Sequence, residues 1–228
     1  MTDPSDTHRT GALELPGRPP VAGARSTRKR QAITEAATAL FLERGYLGTS
    51  VDQIAAHAEV SKPTVYRFFA DKEQLLTEIV LGSLDRRGNP FHTELAALAR
   101  TNDLNADLRN LGRDYIKIVT QPAGLALRRL VIGASHQLPE LAQAYYDRAQ
   151  EQTLAALAKV FGELAARGLL EIDEPMTAAS HFAFLVLGRT LDKSLFIPEK
   201  PFTGKELEGQ ADAGVSAFLT VYQKNAPR

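Results

Sequence analysis

From Ser26 almost to the end of the chain, apolar residues recur at helical spacing between breaks marked by glycine or proline, and strand-like alternation is nearly absent. The pattern predicts an all-α protein. Ile33, Ala36, Ala37, Leu40 and Phe41 share one face of a first helix, and Gly45 stands where a left-handed C-terminal cap belongs. Ser50 with Gln53 makes a capping box ahead of Val51, Ile54, Ala55 and Ala58, which predicts a helix of barely two turns. Ser61 caps a second short helix that tolerates Pro63 in its first turn and turns Val65, Phe68 and Phe69 inward. Asp71 with Gln74 caps a longer helix carrying Leu75, Leu76, Ile79, Val80 and Leu84. Two short helices joined by a tight turn and braced by their neighbours form the helix-turn-helix plan.

Outside this stretch the pattern is coarser. Residues 1–24 carry four prolines and three glycines without a helical or strand period, and are expected to form a disordered arm. Residues 25–72 are expected to form the helix-turn-helix domain and residues 73–228 a larger helical domain. Gly88-Asn89-Pro90 should break the helix that begins after Asp71. Further helical segments are expected near residues 91–99, 106–120, 122–136, 139–167, 175–196 and 203–223. The last two are apolar on more than one side, whereas a surface helix needs a single stripe.

Composition narrows the function classes. The 27 basic and 27 acidic residues cancel, so summed charge suggests no partner, but between Arg25 and Lys72 eight cations outnumber five anions. The absence of cysteine removes disulfides, thiolate catalysis and cysteine-bound metals, which suits a reducing cytoplasm, the expected location. No stretch has the roughly 18 apolar residues a bilayer span needs, and no signal-peptide core or membrane partner is expected. His8, His57, His92, His136 and His181 are scattered, and no HExxH, GxSxG or phosphate-binding glycine loop accompanies them. No enzyme, metal or cofactor is expected.

The second short helix leaves Lys62, Thr64, Tyr66 and Arg67 off its apolar face, and its N-terminal amides and dipole suit phosphate. These features also fit a small helical subdomain with an ordinary solvated face. The wording is more specific. Thr49-Ser50-Val51 with Ile54-Ala55, then Val60-Ser61-Lys62-Pro63-Thr64-Val65-Tyr66-Arg67-Phe68-Phe69, then Lys72-Glu73 and Leu75-Leu76, closely resembles the DNA-binding signature of TetR-family regulators. The resemblance covers residues 26–80 and implies a recognition helix from Lys62 to Phe69 in the major groove. By position, Thr49, Ser50, Tyr66 and Lys72 match phosphate contacts, while Lys62, Thr64 and Arg67 fall at base or backbone contacts. Ser61 caps that helix, and Arg28 belongs to a basic cluster with Arg25, Lys29 and Arg30 that would add phosphate contacts. Two positions depart from the family: Glu59 stands where the turn often has glycine, and Phe68 where many members have a phosphate-donating side chain. Phe68 and Phe69 are read as core residues.

Leu127-Arg128-Arg129-Leu130-Val131-Ile132-Gly133, followed by Pro139-Glu140-Leu141-Ala142 and Tyr145-Tyr146, resembles the C-terminal region of the AefR-like branch. The resemblance implies a homodimer joined through the last two helices, a palindromic operator, repression, and release by a small effector. Leu185, Gly188, Ala211, Val215, Phe218 and Tyr222 are the candidates for the dimer interface, with the face of each helix left open. Tyr115, His136, Tyr145, His181 and Phe184, polar or aromatic residues on otherwise apolar faces, are the candidates for lining an effector site. The sparse acidic residues along 182–191 suggest an apolar or aromatic effector rather than a highly charged one. A helical binding module without DNA function is the alternative from another class.

Overall fold

The computed structural model describes residues 22–86 and 90–224, all in helices and connecting turns apart from one isolated bridge between Leu170 and Gln223. The arm expected over residues 1–24 therefore lies outside the described residues up to residue 21. Its last three residues already belong to α1 (Ala22–Arg44), which starts a turn earlier than the periodicity suggests. The helix-turn-helix comprises α2 (Val51–His57) and α3 (Lys62–Phe68), and α4 (Lys72–Arg86) follows. The Gly88-Asn89-Pro90 break falls partly outside the described residues, with α5 (Pro90–Leu98) beginning at the proline. Then come α6 (Leu104–Val119), α7 (Pro122–Ala134), α8 (Pro139–Tyr146), α9 (Gln152–Ala166), α10 (Pro175–Phe196) and α11 (Gly204–Tyr222).

Two segments expected as continuous helices are interrupted. Between α8 and α9 the backbone widens into a π-helical turn at Asp147–Glu151. Inside α10, Gly188 adopts φ 48° and ψ −142°, a region open essentially to glycine, and kinks the helix. The carbonyl of Leu185, next to this break, accepts a 3.0 Å hydrogen bond from the Gln210 side chain of α11. Gly214 lets the two helices touch there, since a Cβ on it would lie 2.4 Å from the Leu185 carbonyl oxygen.

The core has two parts. The first joins Ile33, Phe41, Ile54, Val65, Phe69, Leu75 and Val80 of α1–α4 and the α3–α4 turn to Leu127, Leu130, Val131 and Ala134 of α7 and Leu141 of α8. Packing therefore does not break at residue 72: α4, α7 and α8 complete the core of the helix-turn-helix. The second joins α5, α6, α9, α10 and α11 around Phe161, Phe182 and Phe218, whose ring centroids are 5.1–5.4 Å apart. A polar ladder locks α6 antiparallel to α11: Arg109 donates to Ser216 at 3.0 Å, Arg113 grips Asp212 with bonds of 2.7 and 2.8 Å, and Lys117 meets Glu208 at 2.8 Å.

Candidate nucleic-acid interface and inner cavity

The turn between α2 and α3 is built by backbone bonds. Val60 N–H reaches the Ala55 carbonyl at 3.0 Å and Glu59 N–H the Ala56 carbonyl at 3.2 Å, the paired pattern of a Schellman cap. Glu59 occupies its left-handed position with φ 53°, the one positive φ outside glycine among the described residues. Glu59 therefore carries a backbone conformation that glycine adopts without cost, and the turn keeps its shape. Ser50 closes α2 with the reciprocal bonds of a capping box to Gln53, as its spacing indicates. Ser61 makes no such cap; its hydroxyl lies 2.8 Å from that of Thr64.

Val65 is buried, which rolls Lys62, Tyr66 and Arg67 outward. Tyr66 is half exposed, and Arg67 stacks its guanidinium 4.9 Å from the Phe68 ring centre. Lys62 bonds Asp52 of α2 at 2.9 Å, and the hydrogen bond to that carboxylate raises the ammonium's pKa. Arg28 is exposed on α1. Arg30 is instead tied to Glu78 and the Phe69 ring, so it braces α1 against α4 and the end of α3. Phe69 is fully buried and Phe68 half-buried against the first core, in line with their reading as packing residues.

Thr49 and Lys72 are tied to the protein's own backbone. Thr49 is 2% exposed and its hydroxyl faces the carbonyls of Leu40 at 3.1 Å and Gly45 at 2.9 Å, so that hydroxyl fixes the α1–α2 connection rather than facing outward. Lys72 donates to the carbonyls of Tyr46 and Thr49, and burial lowers its pKa. Gly48, not singled out by pattern, is required beside them, because a Cβ there would stand 2.3 Å from the Arg44 carbonyl oxygen.

A cavity of about 150 Å³ lies where α4, α5, α6, α7 and the π turn meet, between the two cores. Leu84, Phe91, Tyr115, Gly124, Arg128 and Tyr145 are among its walls. Of the five effector-site candidates it gathers Tyr115 and Tyr145. Tyr115 is buried, stacks 5.2 Å from Phe91, and has its phenol pushed up to about 12 by burial, against a lowering by Arg128. The other three are elsewhere. His136 is exposed in the turn after α7, His181 bonds the Tyr222 hydroxyl at 2.6 Å on the outer surface, and Phe184 is 62% exposed on α10. Helical periodicity mixes wall, core and outer faces, and these residues fall on outer ones. Arg128, Arg148 and Thr153 line the cavity and were not anticipated; the position of Arg128 one turn after Gly124 is the signal that marks it.

The expected dimer residues also divide. Ala211, Val215 and Phe218 are fully buried inside the protomer, so their assignment to a partner face is corrected: Ala211 and Val215 face Gly112 of α6, and Phe218 packs on Phe161 of α9 and Phe182 of α10. Leu185 and Gly188 are exposed, and Tyr222 is half-buried beside His181. The exposed residues of the two helices include Leu185 and Gly188, with Phe184 beside them on α10 and Ala213, Ala217 and Val221 on α11, which form an outward stripe.

Comparison with known proteins agrees with both halves. Residues 33–79 match the family described as bacterial regulatory proteins, tetR family, and residues 106–224 match the C-terminal domain of AefR-like transcriptional repressors. A solved TetR-family regulator from Mesorhizobium loti is 37% identical, with a TM-score of 0.77 over 88% of this chain and 99% of that one. The flavonoid-responsive regulator FrrA is 31% identical, with a TM-score of 0.66 over 88% of this chain and all of its own. The HTH-type regulator YhgD of Bacillus subtilis is 45% identical over 51 residues, 22% of this chain and 27% of that protein, so the chain spans about a quarter of that relative. No described helix is long and apolar enough to cross a membrane. With a tetR-type reading head and an AefR-like domain together spanning most of its length, the chain belongs to the TetR family of DNA-binding transcriptional regulators.

Proposed function

We propose that the protein is a homodimeric repressor that binds a palindromic operator through α3 and leaves it when a small molecule fills the inner cavity. One observation carries this reading: α7 lines the cavity with Gly124 and Arg128 while burying Leu127, Leu130, Val131 and Ala134 in the core that holds the recognition helix. Anything that displaces α7 must repack the base of the reading head, because close-packed cores transmit displacement. An effector acts by binding the two spacings of the paired reading heads unequally. FrrA, named for its response to flavonoids, supports ligand control in a chain of similar fold.

Arg67 is the residue proposed to read a base, and Ser50, Lys62, Thr64, Tyr66, Lys72 and Arg28 to hold the backbone. The test is fluorescence anisotropy of the full chain on DNA from beside its own gene and on random duplex. Arg67→Ala should cost about 1–3 kcal/mol on the cognate site and little on random DNA. Equal losses on both would remove Arg67 from base reading, and no preference of the parent protein for any flanking fragment would overturn the operator assignment.

A further inference from the structure

Charge is distributed unevenly around the inner cavity. Its described walls include Arg128 from α7 and no aspartate or glutamate, while Arg148 of the π turn, which also lines it, is exposed and already engaged. Arg128 is half-buried and makes no hydrogen bond or salt bridge with another described residue, although its charge acts on the Tyr115 phenol. Burying a guanidinium without a counter-ion is costly, and the fork geometry of arginine matches a carboxylate. The hydroxyls nearby belong to Tyr115, Tyr145 and Thr153. The Tyr115 phenol is protonated at neutral pH, as tyrosine ordinarily is, and able to donate to an anion.

The remaining walls are apolar or aromatic: Leu84, Phe91, Ile118 and Val119. The volume is about 150 Å³. An apolar cavity of about that size takes up a single benzene ring.

We propose that the effector is an aromatic acid, whose carboxylate pairs with Arg128 and whose ring lies against the Phe91–Tyr115 pair on the side of Tyr145. This rests on the inner cavity being the effector site. It also changes the expected ligand from one selected against charge to one carrying a single negative charge on an apolar body.

The test compares sodium benzoate with benzamide, its neutral isostere, by calorimetric titration of the full-length protein at fixed ionic strength. Benzoate should bind at least about tenfold more tightly, since a charge-assisted pair exceeds a neutral hydrogen bond by about 1.4 kcal/mol or more. Arg128→Gln should bring the two affinities together, and Arg128→Lys, which keeps the charge, should restore part of the preference. Ala149→Phe, which fills the cavity, should abolish both. Equal or tighter binding of benzamide to the parent protein overturns the acid assignment while leaving the cavity in place, and failure of both probes to bind overturns it as well. Benzoate affinity unchanged by Ala149→Phe shows instead that the cavity is not the effector site.

Discussion

The ammonium of Lys72 lies 4.1 Å from the centre of the Tyr46 ring and donates to the Tyr46 carbonyl at 2.8 Å and to that of Thr49 at 2.9 Å. This one cation at the start of α4 therefore ties down the connection between α1 and α2, leaving one of its three protons for a phosphate. Lys72→Ala should do two things at once. Losing the hydrogen bonds to two half-buried carbonyls should cost about 1–2 kcal/mol of stability, and binding to cognate and random DNA should weaken together. Tyr66→Phe is the control: Tyr66 makes no hydrogen bond among the described residues, so its melting temperature should stay put while DNA binding falls. An unchanged melting temperature in Lys72→Ala would remove the structural half of this role.

Glu59 is held at φ 53° by a Schellman cap whose geometry suits glycine. Glu59→Gly should raise the stability of the reading head by about 1 kcal/mol, the cost of the left-handed conformation for a residue with a Cβ. The gain is reduced by the greater freedom of glycine in the unfolded chain. Thermal melts of the two proteins check it; a lower melting temperature would mean that Glu59 contributes something besides its backbone.

The helix-turn-helix was legible because short-range chemistry specifies it: Ser50 and Gln53 make the capping box their spacing implies, and the Asp71 carboxylate caps the Gln74 N–H while the Gln74 side chain accepts from Ala70. The larger domain was legible as helices but not as faces. A helix packed on several sides buries Val215 and Phe218 with the same periodicity that a partner face would show, so the pattern cannot separate the protomer's core from its outside. The cavity was hidden for a related reason, since Phe91, Tyr115, Arg128 and Tyr145 come from four segments far apart in sequence. At the Gly188 kink, Gln210 of α11 bonds the Leu185 carbonyl, a contact between helices that local pattern does not contain.

That division gives a contrast between two phenylalanines of the final helix pair. Phe184 is 62% exposed on the outward stripe of α10, and Phe218 is fully buried in the aromatic cluster of α11. Phe184→Glu should yield a folded protein that sediments as a monomer and loses operator affinity, because two linked recognition helices are needed on a palindromic site. Phe218→Ala should instead cost about 3–5 kcal/mol of folding stability. Analytical ultracentrifugation and melting curves separate the two; a dimeric Phe184→Glu protein would move the interface away from this stripe.

Glu94 on α5 supplies a pH signature. Its Oε2 is the one buried side-chain oxygen without a hydrogen-bond partner among the described residues, and it shares a hollow with Asp107 and Asp114 of α6. Burial, and secondarily the charge of Asp114, raise its carboxyl above the ordinary value of 4.5. A raised acid binds its proton more tightly when folded, so its contribution to stability is complete below the unfolded value and is lost as pH rises through the folded one. Glu94→Gln removes that loss while keeping shape. The variant should therefore melt close to the parent protein near pH 4, and above it at pH 7, with the gap opening as pH climbs from about 4.5. The comparison needs only paired melts across that range, since other carboxylates titrate alike in both proteins and cancel in the difference. A gap that stays constant with pH would show that Glu94 is solvated or paired in the native state, and a gap that widens toward acid would reverse the sign of its role.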